Sequence, residues 1–203
     1  MPRPRFQRLT DAQREHILDV ASAAFAAEGF ERTSYNELLQ RLGLTKGSAY
    51  HTFDGKADLY AVVVERAVTR FAAALPAPAC SSSTATSFWP GVSSWLDASL
   101  AYVTAHPESA RLLGGIVEGD HSGSAAAVAP LMAPFGVLVR EGQRVGCVRS
   151  DLNEALLVSL CLAVLGALDR VTLPQVSALS STERGAVLER SIDILRRVLR
   201  PWP

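Results

Sequence analysis

Apolar residues along this chain recur at the three-to-four spacing of a helix, and no stretch shows the period-two alternation of a half-buried strand. Thr10 with Gln13 forms a capping box, in which the hydroxyl accepts from the backbone three residues on and the Gln side chain reaches back. Ile17, Val20, Ala21, Ala24 and Phe25 follow on one face, and Gly29 ends that helix. Ser34 and Glu37 repeat the capping pattern ahead of Leu38, Leu39 and Leu42. Gly43 then makes a tight turn, and Thr45 opens a helix reaching Phe53. Asp54-Gly55 breaks it, and a longer helix runs from Lys56 to about Leu75 with Leu59, Val62, Val63, Ala67 and Phe71 inward.

Beyond the Pro- and Ser-rich loop 76–87, helices are expected at 88–105 and 108–117, the second started by Pro107. Residues 118–123 form a loop. A helix over 124–145 contains Pro130 and Pro134, which kink it or delay its regular part. After a turn at 146–150, Asp151 with Glu154 caps an apolar helix that runs to Val171, with Pro174 as its stop. Ser180 with Glu183 caps a last helix ending near Arg200. The expected fold is all-α with about nine helices. A three-helix helix-turn-helix domain at residues 1–55 is joined by the helix from Lys56 to a larger helical domain, residues 56–203.

With 48% hydrophobic residues in 203, the chain can build a sizeable core. Its net charge is zero, and residues 1–60 hold eight Lys/Arg against eight Asp/Glu. A binder governed by bulk positive charge is thereby disfavoured, and any affinity for nucleic acid has to come from local placement. Cys80, Cys147 and Cys161 show no paired spacing and fit a reducing cytoplasm, with Cys161 a core residue. The arginines of MPRPRFQRLT precede no apolar signal region. The apolar run 155–168, interrupted by Ser159, is too short to span a bilayer and reads as a buried helix, so no membrane association is expected.

The most informative chemistry lies in TSYNELLQRLGLTKGSAYHTF, residues 33–53. The whole chain has only two lysines, Lys46 and Lys56, in or just after this stretch. Helix starts at Ser34, Thr45 and Lys56 present free N–H groups and a positive dipole end, both of which favour phosphate. Ser34, Tyr35, Thr45, Ser48 and Tyr50 supply donors that position a DNA backbone, Lys46 and Lys56 supply charge, and Gly47 permits close approach. His51 extends from the same reading helix, either as a base contact or as a side chain that merely packs or is exposed. Ser34 and Thr45 also have a purely structural use as caps, and Arg3, Arg5 and Arg8 read either as a minor-groove arm or as a solubilising tail.

The run from Arg14 to Tyr60 resembles the DNA-binding domain of TetR-family transcriptional repressors. The matching residues are Ile17-Leu18, Ala21, Phe25 and Gly29 ahead of Thr33-Ser34, then Gly43, Thr45-Lys46-Gly47, Tyr50, Phe53, Lys56 and Leu59. Leu39, Ala49 and Thr52 depart from the family's usual choices, which bears on the operator sequence rather than on DNA binding. The resemblance implies a homodimer binding a double-stranded DNA operator. It also implies that a small-molecule effector, held in the larger domain, releases the protein from that operator.

An apolar pocket with a few polar anchors is the expected effector site, and Trp89, Trp95, Tyr102, His106, Arg111, Glu118 and Phe135 are its candidate lining. His106, Glu118, Asp120 and His121 lack metal-ligand spacing, and no cofactor or metal is expected. No nucleophile–base pairing or phosphate-binding Gly loop suggests an enzyme. Leu156, Leu160, Val164 and Leu168 make one apolar stripe; Leu188, Ile192, Leu195 and Leu199 make another. The last two helices are therefore the expected dimer interface. Together these features point to a cytoplasmic, ligand-responsive repressor; the alternative is a helical small-molecule-binding protein, or an activator with the same fold.

Overall fold

The structure is a computed structural model, and it describes residues 6, 8–45, 47, 52–75, 78, 84–117, 125–176 and 179–201. Among these residues there are eight helices and no strand: α1 Asp11–Arg32, α2 Tyr35–Arg41, α3 Lys56–Ala74, α4 Phe88–Ala105, α5 Pro107–Val117, α6 Ala125–Arg144, α7 Glu154–Val176 and α8 Ser181–Leu199. The ninth expected helix, 45–53, falls mostly outside the described residues. The helices gather into two compact units, one of residues 1–70 and 107–128, the other of residues 71–106 and 129–203.

In the first unit the capping box at Thr10 is complete, with Gln13 N–H donating to the Thr10 hydroxyl and Thr10 N–H donating back to Gln13 Oε1. Apolar spacing then buries Ile17, Leu18, Ala21, Ala24 and Phe25 of α1. They pack into a core that also takes Leu38 and Leu39 from α2, Leu59, Tyr60, Val63, Val64, Ala67 and Val68 from α3, and Leu112 and Leu113 from α5. Val62 and Phe71, expected inward, are half-buried, because the buried stripe of α3 passes through Tyr60 and Val64 instead. Each fully buried side chain of this size contributes roughly 1.5–3 kcal/mol. α5 packs directly on α1.

Polar side chains also tie α3 to α1. Arg66 of α3 donates to Glu15 at 2.9 Å and Ser22 Oγ at 2.9 Å, lies 2.8 Å from Asp19, and is joined by Arg70, 2.6 Å from Glu15. Glu15, Asp19 and Ser22 occupy one face of α1 at helical spacing, so a single guanidinium reaches all three. Ahead of α1, Phe6 is buried against Phe53 with ring centroids 5.1 Å apart. Leu9 accepts from the Arg14 guanidinium. Of the arginines read as an arm, Arg3 and Arg5 lie outside the described residues, and Arg8 is exposed.

The second unit is held by aromatic and aliphatic packing. Phe88, Trp89, Val92, Trp95 and Leu96 of α4 form one core with Phe135, Leu138 and Val139 of α6, Val148 of the turn after α6, Leu157 and Cys161 of α7, and Ile192, Leu195 and Leu199 of α8. Burial pushes the Cys161 thiol up to about 11, which keeps it a protonated, inert packing group. Gly142 of α6 lets Phe88 and Val148 close in: a Cβ there would lie 2.3 Å from Val148 Cγ2 and 2.7 Å from Phe88 Cζ. α6 continues as one helix through Pro130 and Pro134.

Four expectations in this unit are corrected. The cap of α7 is Asn153, whose Oδ1 accepts from Leu156 N–H at 2.8 Å. Asp151 is instead taken by Arg149, two residues away, whose guanidinium holds the Asp151 carboxyl below its ordinary range. α7 also passes through Pro174 to Val176, since a proline in the last turn removes one donor without ending the helix. The stripe of α8 that was expected at a dimer interface faces the unit's own core, with Ile192, Leu195 and Leu199 buried there and Leu188 packed against it. Finally, α7 is not buried within one chain. Its stretch Glu154–Thr172 has mean hydropathy 1.9, long and apolar enough to cross a membrane by length and composition, yet only 17% of it is buried. Leu157 and Cys161 face inward, while Leu156 is exposed and Leu160, Val164 and Leu168 are half-exposed.

Candidate nucleic-acid interface

The turn between α2 and the following segment is built by backbone geometry that only glycine adopts without strain. Gly43 has φ +65°; its N–H donates to Gln40 O at 3.0 Å, and Leu44 N–H donates to Leu39 O at 2.9 Å. These two bonds are the paired closure of a Schellman cap, with Gly43 at the left-handed position. They satisfy carbonyls that would otherwise be orphaned at the end of α2 and redirect the chain into the segment that starts at Thr45.

At the other end of α2, Ser34 is the N-cap, and its hydroxyl accepts from Glu37 N–H at 3.4 Å. Tyr35 is half-buried in the first turn. Thr45 is exposed, as is Gly47, where nothing lies within 4 Å of the place a Cβ would take. Open space above a backbone at the start of a helix suits close approach by another backbone. Lys46, Ser48, Tyr50 and His51 lie outside the described residues. Thr52 and Phe53, which follow them, are buried.

Lys56 was expected at a phosphate. Its ammonium donates to three carbonyls: Phe30 O at 2.8 Å, Glu31 O at 3.2 Å and Thr33 O at 3.2 Å. It also lies 4.5 Å from the centroid of the Phe30 ring. No local sequence signal marks this arrangement, because its partners are 23 to 26 residues away.

The candidate effector residues divide between the units. Trp89, Trp95, Tyr102, His106 and Phe135 belong to the second unit and Arg111 to the first, where it is exposed; Glu118 lies outside the described residues, as do Asp120 and His121. Trp95 and Phe135 are brought together edge to face at 5.3 Å. The buried Trp95 Nε1–H has no hydrogen-bond partner among the described residues. Tyr102 stacks on His106 at 4.2 Å, and His106 is exposed at the end of α4, with Nδ1 2.9 Å from Tyr102 O. Trp89 belongs to the same core as Trp95 and Phe135; Arg196 lies 5.1 Å over its ring, and it lines an open groove of about 340 Å³ with Pro90, Ser93, Glu189, Ile192, Asp193 and Arg196.

Residues 17–63 match the family model described as bacterial regulatory proteins, tetR family. The chain is 40% identical over 52 residues to the HTH-type transcriptional regulator AcrR of Shigella flexneri. That match covers 26% of this chain and 24% of the relative, so it spans about a quarter of the relative's length. Over nearly the whole chain the fold is similar to that of a TetR family transcriptional regulator from Chloroflexus aurantiacus, with a TM-score of 0.66 at 25% identity over 98% of this chain and 99% of that one. It is also similar in fold to SmeT, the repressor of the Stenotrophomonas maltophilia multidrug efflux pump SmeDEF. SmeT has also been solved as a complex with triclosan, which matches with a TM-score of 0.62 at 18% identity and 91% coverage of each chain.

Proposed function

We propose that this chain, whose residues 17–63 match the tetR family of bacterial regulatory proteins, is a ligand-responsive, sequence-specific repressor that a small-molecule effector releases from its operator. The observation that carries this reading is the short capped helix α2 closed by a glycine turn at Gly43, with the open backbone at Gly47 just beyond it. In this reading residues 1–55 read DNA. Ser34, Tyr35, Thr45, Lys46, Gly47, Ser48 and Tyr50 position the phosphate backbone, and His51 meets base edges.

Residues 56–203 hold the effector and the dimer contact. An effector that is largely apolar and carries one hydrogen-bond acceptor suits the Trp95–Phe135 region, where the indole N–H supplies the matching donor. Trp89, Tyr102, His106, Arg111 and Glu118 remain candidates for its other contacts. The effector binds the DNA-incompetent form more tightly and so shifts the population away from it. α5 follows α4 directly in the chain yet packs on α1, which makes it the element that transmits occupancy to the reading head.

The apolar stripe of α7, in which Leu156 is exposed and Leu160, Val164 and Leu168 are only half-covered by their own chain, is covered by the same stripe of a second copy, with α8 beside it. Such a dimer works in the cytoplasm, away from any membrane. Selection of bound duplexes from a random library tests this reading. Enrichment of a two-fold symmetric site, with half-sites about one helical turn or 34 Å apart, is the expected result. Recovery of no common sequence would sink it.

A further inference from the structure

Lys56 sits where its charge is least welcome, in the first turn of α3, at the positive end of that helix's own dipole. What holds it there lies elsewhere in the chain. α1 loses its helical path at Gly29, with φ +77° and ψ 164°. The chain around that break is closed by Arg32 Nε, which donates to Glu28 O at 2.8 Å, and by Thr33 Oγ1, which donates to Gly29 O at 2.7 Å. The carbonyls of Phe30, Glu31 and Thr33 turn instead to the Lys56 ammonium, one for each of its three protons. Beneath the ammonium, Phe30 packs on Tyr60 at 4.9 Å and Phe25 packs on Tyr60 at 4.9 Å, so the floor of the site is rigid.

Phe30–Thr33 is the entry to the helix-turn-helix, immediately before the Ser34 cap, and Lys56 is its exit. We propose that Lys56 is a positioning residue: it clamps the entry of the helix-turn-helix to its exit and so sets the angle at which residues 34–55 meet DNA. This deepens the DNA-binding reading above and rests on it. Lys46 and Lys56, the chain's only lysines, then act differently on the same ligand, Lys46 through a phosphate and Lys56 through the backbone that aims the head.

The test is operator affinity as a function of salt, well below the melting temperature, for the wild-type chain, Lys56→Met and Lys56→Arg. Met keeps the stem over Phe30 and loses the donors; Arg keeps donors and charge. The expected result for Lys56→Met is roughly tenfold weaker binding, because a reading head left without its support is loose, with partial recovery in Lys56→Arg. Its salt slope should equal that of the wild type. A slope flattened by about one unit would mean that Lys56 is itself a phosphate contact and would overturn the clamp. Unchanged affinity in a folded Lys56→Met of lower melting temperature would make the contact merely structural and overturn it equally.

A second measurement needs no variant. Protein labelled with ¹⁵N-lysine has just two ammonium sites, and the clamp predicts that the Lys56 signal keeps its shift and slow exchange when DNA binds. A shift of that signal on the complex would overturn the clamp. Absence of any specific binding by the wild type would remove the DNA-binding reading and this proposal with it. Normal wild-type binding with any of the three contrary results above removes the clamp alone.

Discussion

The unit containing α1, α2, α3 and α5 and the unit containing α4, α7 and α8 both bury an apolar core but differ in the polar ties added to it. In the first, polar groups reach across elements to defined partners: Arg66 to Glu15, Asp19 and Ser22, and Lys56 to three carbonyls. In the second, a continuous aromatic and aliphatic core dominates, with the Arg140–Glu154 ion pair joining α6 to α7, and one helix, α7, leaves an apolar stripe only partly covered. Directional bonds hold one geometry, as a reading head requires. Apolar packing has no such directionality, and suits a region proposed to admit a ligand and present a face to a second subunit.

This contrast can be broken most sharply at α7. Leu156→Arg places a charge on an exposed position, so the single chain should keep its helicity. The account expects sedimentation as a monomer and operator affinity reduced by about a hundredfold, since each half-site then binds alone. A dimer that persists in Leu156→Arg would move the interface elsewhere. Gly142→Ala probes the packed core: the added methyl meets Val148 and Phe88, and thermal unfolding should show a loss of about 1–3 kcal/mol with DNA affinity unchanged well below the melting temperature. An unshifted melting temperature would show that the second core is more yielding than its packing suggests.

Arg66→Met tests the polar tie of the first unit. Its side chain is only 12% exposed, but Glu15 and Asp19 are largely open to water, so the expected destabilisation is about 1–2 kcal/mol. Equal stability of the two proteins would demote this network to decoration. The smallest effect belongs to Lys46→Ala, which should weaken DNA binding uniformly across sequences and flatten the salt slope by about one unit. A slope identical to that of the wild type would remove Lys46 from the phosphate contacts.

What could be read from the residues in advance follows the same division. The capping boxes at Thr10 and Ser180, the glycine turn at Gly43 and the start of α5 at Pro107 are local events written within four or five residues, and each stands as expected. The contacts of Arg66 and Lys56 span 23 to 51 residues, so no spacing rule announces them. Glu15, Asp19 and Ser22 at helical spacing were the one available hint of a buried cation partner. Phe6 was hidden by the arginines around it, which suggested a free arm where one ring is anchored on Phe53. Both stripes of the last two helices were visible, but periodicity says only that a face is apolar, not whether its own core or another chain covers it. For the same reason the apolar residues of α4 and α6 could be named as a group without showing that Trp95 meets Phe135 edge to face while Trp89 lines an open groove.

The most direct measurement is fluorescence-anisotropy titration of a labelled duplex from the DNA upstream of the protein's own gene, in excess competitor DNA and at two salt concentrations. The account predicts tight, competitor-resistant binding of two chains per duplex, which an apolar effector then reverses. Weak binding that competitor abolishes, repeated on duplexes selected from a random library, would contradict it.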